Sequence, residues 1–427
     1  MDALLYILGL LIMLLGIAVS IGIHEIGHLV PAKIFGVKVR QYMIGFGPTV
    51  WSKTKGETEY GVKAIPLGGY ILMTGMYPPE RKPYKGPFAN WIADARLEVR
   101  KDVLEGEESR QFYLLSAPKK LIVMLGGPFM NLILGVLLIV TALGAIGPMQ
   151  PTLSVNQVFN CIEGEVCEGP GVSPAKTAGV LPGDVIQAVN GTPVTKWEDA
   201  IAVLNERQGA SSFQILRDGK TIELTITPVF SERQVYNDSG QPLKDEAGLP
   251  VTELRPIIGI QLGAQNTPLS LGESFQYSAN VVAGTFGFIL DLPNQLFKVI
   301  LSTAGLQERD SAGAVSIVGV GQIAGELTSS DGLGLASKLA SLLLLIGSLN
   351  IALFAFNLIP LLPLDGGHVA GAIYEALKRR TVKTFTGKDP GPIDSARALP
   401  LAYAVWFLLI VMGLILILAD LIDPIQF

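Results

Sequence analysis

Charged residues are scarce in this chain: they make up 16% of 427 residues, against 49% hydrophobic residues, and the mean hydropathy is +0.45. This composition is too apolar for an ordinary soluble protein. Basic residues are not in excess, because 32 Lys and Arg stand against 37 Asp and Glu. That balance argues against a nucleic-acid partner. Histidine and cysteine are scarcer still, with three and two residues.

The missing charges define four uncharged stretches, each long enough to cross about 30 Å of hydrocarbon as a helix. They run over residues 3–23, 121–147, 339–364 and 398–419. We therefore predict a polytopic α-helical membrane protein with four transmembrane helices in a lipid bilayer. The first stretch follows Asp2 and has no small-residue cleavage site, so we interpret it as a retained helix and not as a signal peptide.

The distribution of Lys and Arg predicts the orientation. Residues 31–120 carry 15 basic and 9 acidic residues, 148–338 carry 11 and 20, and 365–397 carry 6 and 4. By the positive-inside rule, the first and third connections are cytoplasmic, while the long middle connection and both termini are extracytoplasmic. Spans one and three then run in the same direction, so polar residues at their inner ends reach a similar depth.

Two of the three histidines form His24-Glu25-Ile26-Gly27-His28 at the end of the first span. Residues four apart share one face of a helix, so both imidazoles can bind one zinc ion, with Glu25 placed as a general base. Ionisable side chains at membrane depth are costly and usually functional. A metal site is therefore favoured over a purely structural role.

The segment after this motif is predicted to form a small β element. Residues 33–76 alternate apolar and polar positions between turns, one of them at Gly45-Phe46-Gly47-Pro48, which indicates a cytoplasmic β-hairpin at the membrane. Its edge could pair with an extended substrate, or the hairpin could only brace the helices. Weak amphipathicity over 90–104 predicts an interfacial helix.

The second span contains one amide among small residues. Asn131 follows Gly126 and Gly127, and small residues allow close helix approach. A buried Asn usually needs a partner. Packing is the favoured role for the glycines, and Asn131 is a candidate substrate-binding residue that lines the site.

A soluble domain is predicted after Pro148. Residues 178–191 combine a turn, an alternating strand and an Asn190-Gly191 hairpin turn, and this pattern resembles the PDZ domain. PDZ domains bind extended peptides by strand addition, although a groove that only blocks access is an equal alternative. Cys161 and Cys167 lie in this exterior part, and a disulfide and free thiols both remain possible. Residues 274–302 are predicted to form an amphipathic element on the exterior membrane surface.

The third span ends in a broken helix. Pro360 and Pro363 cannot continue a regular helix, and such a break at membrane depth is tolerated only around a cavity. Asp365, at this break, could complete a three-ligand zinc site and leave the fourth position for water. A simple helix-end charge is the alternative.

Together these motifs identify the chain as similar to the site-2 protease family, in its bacterial branch with a single PDZ domain. The resemblance covers nearly the whole length and rests on His24 to His28, Gly45 to Pro48, Pro66 to Tyr70, Gly127 to Asn131 and Asn357 to Gly367. It implies Zn²⁺ held by His24, His28 and Asp365, Glu25 as the catalytic base, and Asn357 in contact with the substrate backbone. The role of His368 is left open.

The resemblance also implies a function and a location. The expected activity is regulated intramembrane proteolysis in the bacterial cytoplasmic membrane, on single-span proteins such as anti-sigma factors or remnant signal peptides, after a first extracytoplasmic cleavage. A metal-ion transporter and a non-catalytic PDZ scaffold are the alternatives.

The predicted domains follow from these assignments. They are residues 1–31 (first span), 32–118 (cytoplasmic hairpin and interfacial helix), 119–147 (second span), 148–229 (PDZ), 230–337 (exterior linker), 338–368 (third span), 369–397 (cytoplasmic loop) and 398–427 (fourth span).

Overall fold

A computed structural model describes residues 2–80, 85–101, 106–162, 171–206, 209–235, 243, 251–307, 309–310 and 313–424. The chain divides into two compact units, residues 1–146 with 268–427, and residues 147–267. The first unit contains β1 (Val39–Lys55) and β2 (Thr58–Met73) and these helices: α1 (Asp2–Ile34), α2 (Ala89–Lys101), α3 (Ala117–Thr141), α6 (Leu271–Leu290), α7 (Leu292–Thr303), α8 (Ile317–Ser329), α9 (Leu335–Asn357), α10 (Asp365–Thr386) and α11 (Leu399–Ile422).

Four helical segments in the described part of the chain are long and apolar enough to cross a membrane. They are Ala3–Ile34, Ala117–Ile146, Leu335–Asn357 and Ser395–Ile422. Each coincides with one of the four predicted spans, and the chain has the architecture of a polytopic membrane protein. The residues predicted as a surface element form α6 and α7, which meet at Asp291, where the side chains of Asn294 and Gln295 donate hydrogen bonds to the Asp291 carboxylate.

Strands β1 and β2 form a curled sheet beside α1. Residues Gln41 and Ile44 of β1 pair with Leu72 and Gly69 on one side and with Glu59 and Val62 on the other. The 69–73 segment of β2 therefore lies at an edge among the described strands. Tyr42 links β1 to α1, because its hydroxyl donates a hydrogen bond to the Gly22 carbonyl at 2.8 Å.

The chain changes direction at the turn predicted at Gly45-Phe46-Gly47-Pro48. These residues lie within the bounds of β1, but residues 41–44 pair with 59–62 in the same direction, whereas residues 51–55 pair with 58–62 in the opposite direction. The chain therefore reverses between these two halves of β1 and again at Gly56 and Glu57. Gly45 and Gly47 adopt positive φ angles of 94° and 83°, a conformation that side chains rarely tolerate. These two glycines allow the sharp bend at which β1 changes direction.

The second unit contains a six-stranded sheet in the order β10-β3-β4-β6-β7, with β5 paired to β4, and a separate β8-β9 pair. Its elements are β3 (Met149–Val158), α4 (Pro174–Thr177), β4 (Val185–Val189), β5 (Thr192–Pro193), α5 (Trp197–Glu206), β6 (Ser211–Arg217), β7 (Lys220–Ile226), β8 (Val229–Gln234), β9 (Thr252–Ile257) and β10 (Ile260–Asn266). Asn190 and Gly191 have positive φ angles, as their predicted hairpin turn requires.

The unit extends past residue 229, where the predicted domain ends, to Thr267. The reason is that β10 pairs with β3, with Ile260 opposite Val158, and Ile258 is part of the core around Phe213. Cys161 is disulfide-bonded, and Cys167 lies outside the described residues.

Asp184 anchors the start of β4 in this unit. Asp184 is 1% exposed. Its carboxylate accepts hydrogen bonds from Arg217 at 2.7 Å and from the Leu181 backbone N–H at 2.8 Å. Burial pushes the pKa of Asp184 upward, but the hydrogen bonds from Arg217 and Leu181 outweigh it and hold the pKa below its ordinary value.

Candidate metal centre

His24, Glu25 and His28 lie in the C-terminal half of α1, which continues without a break from Asp2 to Ile34. The two imidazoles point to one spot: their Nε2 atoms are 3.1 Å apart and their rings meet edge to face at 78°. Glu25 is 7% exposed and His28 5%. Such buried polar groups need partners, because burial removes their hydration.

Asp365 approaches the histidines from a distant part of the chain. One of its carboxylate oxygens lies 3.3 Å from the Nε2 atoms of both His24 and His28. The three ligating atoms all lie within 4.8 Å of one another, a separation that allows them to share one metal ion. The predicted convergence of the two motifs is therefore present in the fold.

The Asp-Gly-Gly sequence explains how Asp365 reaches this position. Helix α9 ends at Asn357, as the two prolines predict, and α10 begins at Asp365 after a tight turn. A Cβ on Gly366 would lie 2.3 Å from the Ile359 carbonyl, and one on Gly367 would lie 2.4 Å from the Leu362 nitrogen. Only glycine fits where the first turn of α10 packs this closely on the preceding loop.

A backbone carbonyl orients His28. The Nδ1 atom of His28 lies 2.7 Å from the Val123 oxygen in α3, and since a carbonyl only accepts, Nδ1 carries the proton and Nε2 is free to ligate. Next to it, a Cβ on Gly127 would lie 2.1 Å from His28 Nε2. From the sequence, Gly127 is assigned to helix packing alone. The role of the Val123 carbonyl cannot be predicted, because every residue carries a backbone carbonyl and none is marked by its residue type.

The other predicted site residues occupy different positions. Asn357 is half-buried at the last position of α9. Asn131 is 1% exposed in α3, so direct contact with a substrate would require its surroundings to open. His368 is half-buried one turn after Asp365 and lines two adjoining cavities of about 360 Å³ and 250 Å³, which also share Leu362 and Ser395.

The first cavity contains an ion pair that the sequence did not reveal. Lys120 at the start of α3 donates to both oxygens of Glu375 in α10 at 2.9 Å, and the two side chains are 7% and 3% exposed. Their pairing fixes the helix that carries Asp365 to the helix that orients His28. Glu375 also accepts from the Ile393 backbone.

Zinc metallopeptidases use a characteristic set of groups: two imidazoles one helical turn apart, a third ligand that can be a carboxylate, and a glutamate between the two histidines. This site contains all of them. The histidines and Glu25 lie on a helix able to cross a membrane, and Asp365 begins the helix that follows another such span. These positions define the class as a membrane-embedded zinc metallopeptidase.

The sequence model of peptidase family M50 matches residues 12–388, and the chain belongs to this family. It is similar to zinc metalloprotease Rip1 of Mycobacterium tuberculosis, with 32% identity over 99% of both chains. It is also similar to metalloprotease MmpA of Caulobacter vibrioides, with 29% identity over 88% of this chain and 89% of the relative. Zinc metalloprotease RasP of Oceanobacillus iheyensis is 25% identical over 87% of this chain and 91% of the relative. The chain is a zinc metalloprotease with a Zn²⁺ cofactor.

Proposed function

We propose that this chain hydrolyses peptide bonds within the transmembrane segments of single-span membrane proteins, after a first cleavage outside the cytoplasmic membrane. The observation that carries the proposal is the convergence of His24, His28 and Asp365 beside Glu25, at the end of a helix apolar enough to cross a bilayer. Anti-sigma factors and remnant signal peptides are the expected substrates, and regulated intramembrane proteolysis is the expected process.

In this proposal His24, His28 and Asp365 hold the zinc ion. The donor set fits zinc, because it combines two imidazole nitrogens with one carboxylate oxygen and leaves a fourth position open. A zinc ion bound there would polarise the scissile carbonyl and make water acidic enough to react near neutral pH.

Glu25 is the proposed general base. It accepts a proton from the attacking water as the water oxygen bonds to the carbonyl carbon, and it returns that proton to the amide nitrogen as the C–N bond breaks. Glu25 is buried beside the two histidines, which favours this role. Few other water molecules can then hydrogen-bond to its carboxylate, so the carboxylate is available to take the proton of the attacking water.

The edge of the β1–β2 sheet is the proposed surface for the substrate backbone. Gly69, in the edge segment, lies so close to the site that a Cβ there would be 3.1 Å from Glu25 Cγ. A transmembrane helix hides its peptide groups in hydrogen bonds, so a substrate must unwind before attack. An extended segment could then pair with this edge, with Asn357 binding its backbone.

The 147–267 unit is the proposed extracytoplasmic filter. Its strand and helix order is compatible with the PDZ resemblance, and such a unit would admit only substrates already trimmed outside. The same proposal places both termini outside the cell and the β1–β2 sheet in the cytoplasm.

The function is tested with Glu25→Gln, which removes the base but keeps a side chain of equal size. We expect the purified variant to retain zinc and its melting temperature and to lose cleavage of a reporter transmembrane segment. Asn357, the residue proposed to bind the substrate backbone, is left intact, so substrate binding should persist. Cleavage at the wild-type rate by E25Q would contradict the proposed chemistry. Persistent metal transport into vesicles by E25Q, without cleavage by the wild type, would favour the transporter alternative.

A further inference from the structure

Apart from Asp365 Oδ2, the proposed metal-ligand oxygen, three buried polar atoms around the metal centre lack a hydrogen-bond partner among the described residues: His24 Nδ1, Asn131 Oδ1 and Asn350 Oδ1. The two amides are 1% and 0% exposed. A buried polar group without a partner costs roughly 1–3 kcal/mol, so such groups in native structures call for a physical explanation. One of the three atoms is a potential donor and two are acceptors.

Helices α1 and α3 run antiparallel with contacts that fix their register. At the inner end, Gly27 meets the carbonyl of Gly126, and the next residue His28 meets Gly127. Farther along α3, Gly135 contacts the Gly347 carbonyl of α9.

On the other side of this junction, α9 packs on α1 with Ile346 against Gly16. Moving along α3 from Gly127 to Gly135 therefore corresponds to moving back along α1 from His28 towards Gly16. Asn131 lies one turn from both of those α3 glycines, and His24 lies one turn from His28. The register brings Asn131 to the level of His24.

The Asn350 side chain forms hydrogen bonds with residues other than His24. Its Nδ2 donates to the Ser20 hydroxyl at 2.8 Å and to the Ile346 carbonyl at 2.8 Å, and the Ser20 hydroxyl in turn donates to the Gly16 carbonyl. These bonds direct the Asn350 side chain towards the turn of α1 that precedes His24. Asn131 is thus the unpaired acceptor at the level of the unpaired imidazole nitrogen.

We propose that Asn131 is a positioning residue for the metal centre: its Oδ1 accepts the Nδ1 proton of His24, directly or through one water molecule, and thereby directs Nε2 to the zinc ion. The inference rests on the proposed function and gives Asn131 a role other than substrate binding. His28 shows the same device within this site, because its Nδ1 donates to the Val123 carbonyl at 2.7 Å. Such second partners fix the protonated nitrogen and the ring orientation of a ligating histidine.

The test compares zinc affinity with the stability of the metal-free protein. Asn131→Leu keeps the branched shape of the side chain and removes the acceptor, Asn131→Asp keeps an acceptor oxygen, and Asn350→Leu is the matched control in the same helix junction. Zinc affinity of the full chain in detergent is measured by competition with a chelator, and melting temperatures are measured after zinc removal. Should N131L fail to fold, N131A takes its place.

We expect N131L to bind zinc about 10–100-fold more weakly, N131D to stay within about threefold of the wild type, and N350L to lower the metal-free melting temperature without a change in zinc affinity. Wild-type zinc affinity in N131L, or equal losses in N131L and N350L, would overturn the proposal. So would a raised KM of N131L with unchanged zinc affinity, since that indicates substrate contact. If His24→Ala also leaves zinc affinity unchanged, the proposed metal site itself fails, and the two failures are distinguishable.

Discussion

Replacing Gly127 with alanine tests whether the metal centre depends on the close approach of α3 to α1. A Cβ at this position would lie 2.1 Å from His28 Nε2, and real Cβ atoms essentially never approach a heavy atom within 3.0 Å. The ring or the helix must therefore move by roughly 0.9 Å, the difference between these two distances. His28 is 5% exposed and its Nδ1 is bonded to the Val123 carbonyl, so the ring cannot turn without losing that bond.

This displacement is large for a metal ligand and modest for the fold. Metal–ligand distances vary by about 0.2 Å, and a working site tolerates about 0.5 Å of misplacement. Overpacking costs about 1–3 kcal/mol of stability, offset in part by about 1 kcal/mol from the better helix propensity of alanine. We expect G127A to lose about tenfold or more in zinc affinity with only a small fall in melting temperature.

Zinc content after gel filtration, chelator competition and reporter cleavage measure this outcome. Gly413→Ala in α11 is the matched control, because its added Cβ would meet nothing within 4 Å. That variant should keep its zinc, its activity and its melting temperature. Full zinc affinity and full cleavage in G127A would refute the packing argument.

Two further perturbations test other parts of the structure. Glu375→Leu should destabilise the protein by about 3–5 kcal/mol, because it leaves the buried Lys120 without its ion-pair partner. The double variant with Lys120→Met should melt at a higher temperature than E375L alone. A double variant that melts at a lower temperature than E375L would contradict the pairing argument. Replacing residues 147–267 by a short linker should be tolerated, since Thr267 donates its backbone N–H to the Pro148 carbonyl and the ends of the unit are adjacent. The variant should cleave untrimmed substrate that the wild type rejects, and complete loss of activity in the folded variant would contradict the filter.

The sequence predicts the membrane helices and the convergence at the metal centre because both depend on strong local signals. Uncharged stretches of about 20 residues have few alternatives to crossing the bilayer. In the sequence, His24 and His28 follow the first uncharged stretch and Asp365 follows the third, so the predicted common direction of these two spans brings them to one depth. The break before Asp365 follows from the two prolines.

Features that depend on contacts distant in sequence are not predictable in this way. Strand β10 belongs to the second unit because it pairs with β3, about a hundred residues earlier, and its own residues carry no sign of that partner. The Lys120–Glu375 pair joins two helices, although each residue alone is typical of a membrane border. Gly45 and Gly47 indicate a turn, and the chain does reverse there, but the pairing of residues 41–44 with 59–62 and 69–72 depends on residues distant in sequence.

The central claim is that two remote segments of the chain hold one zinc ion, and the metal stoichiometry of purified protein tests it most directly. The wild-type chain should bind one zinc ion, and Asp365→Ala should lose it, as His24→Ala and His28→Ala should, while all of them keep their helical content. One tightly bound zinc ion retained by D365A, with affinity equal to that of the wild type, would contradict the account.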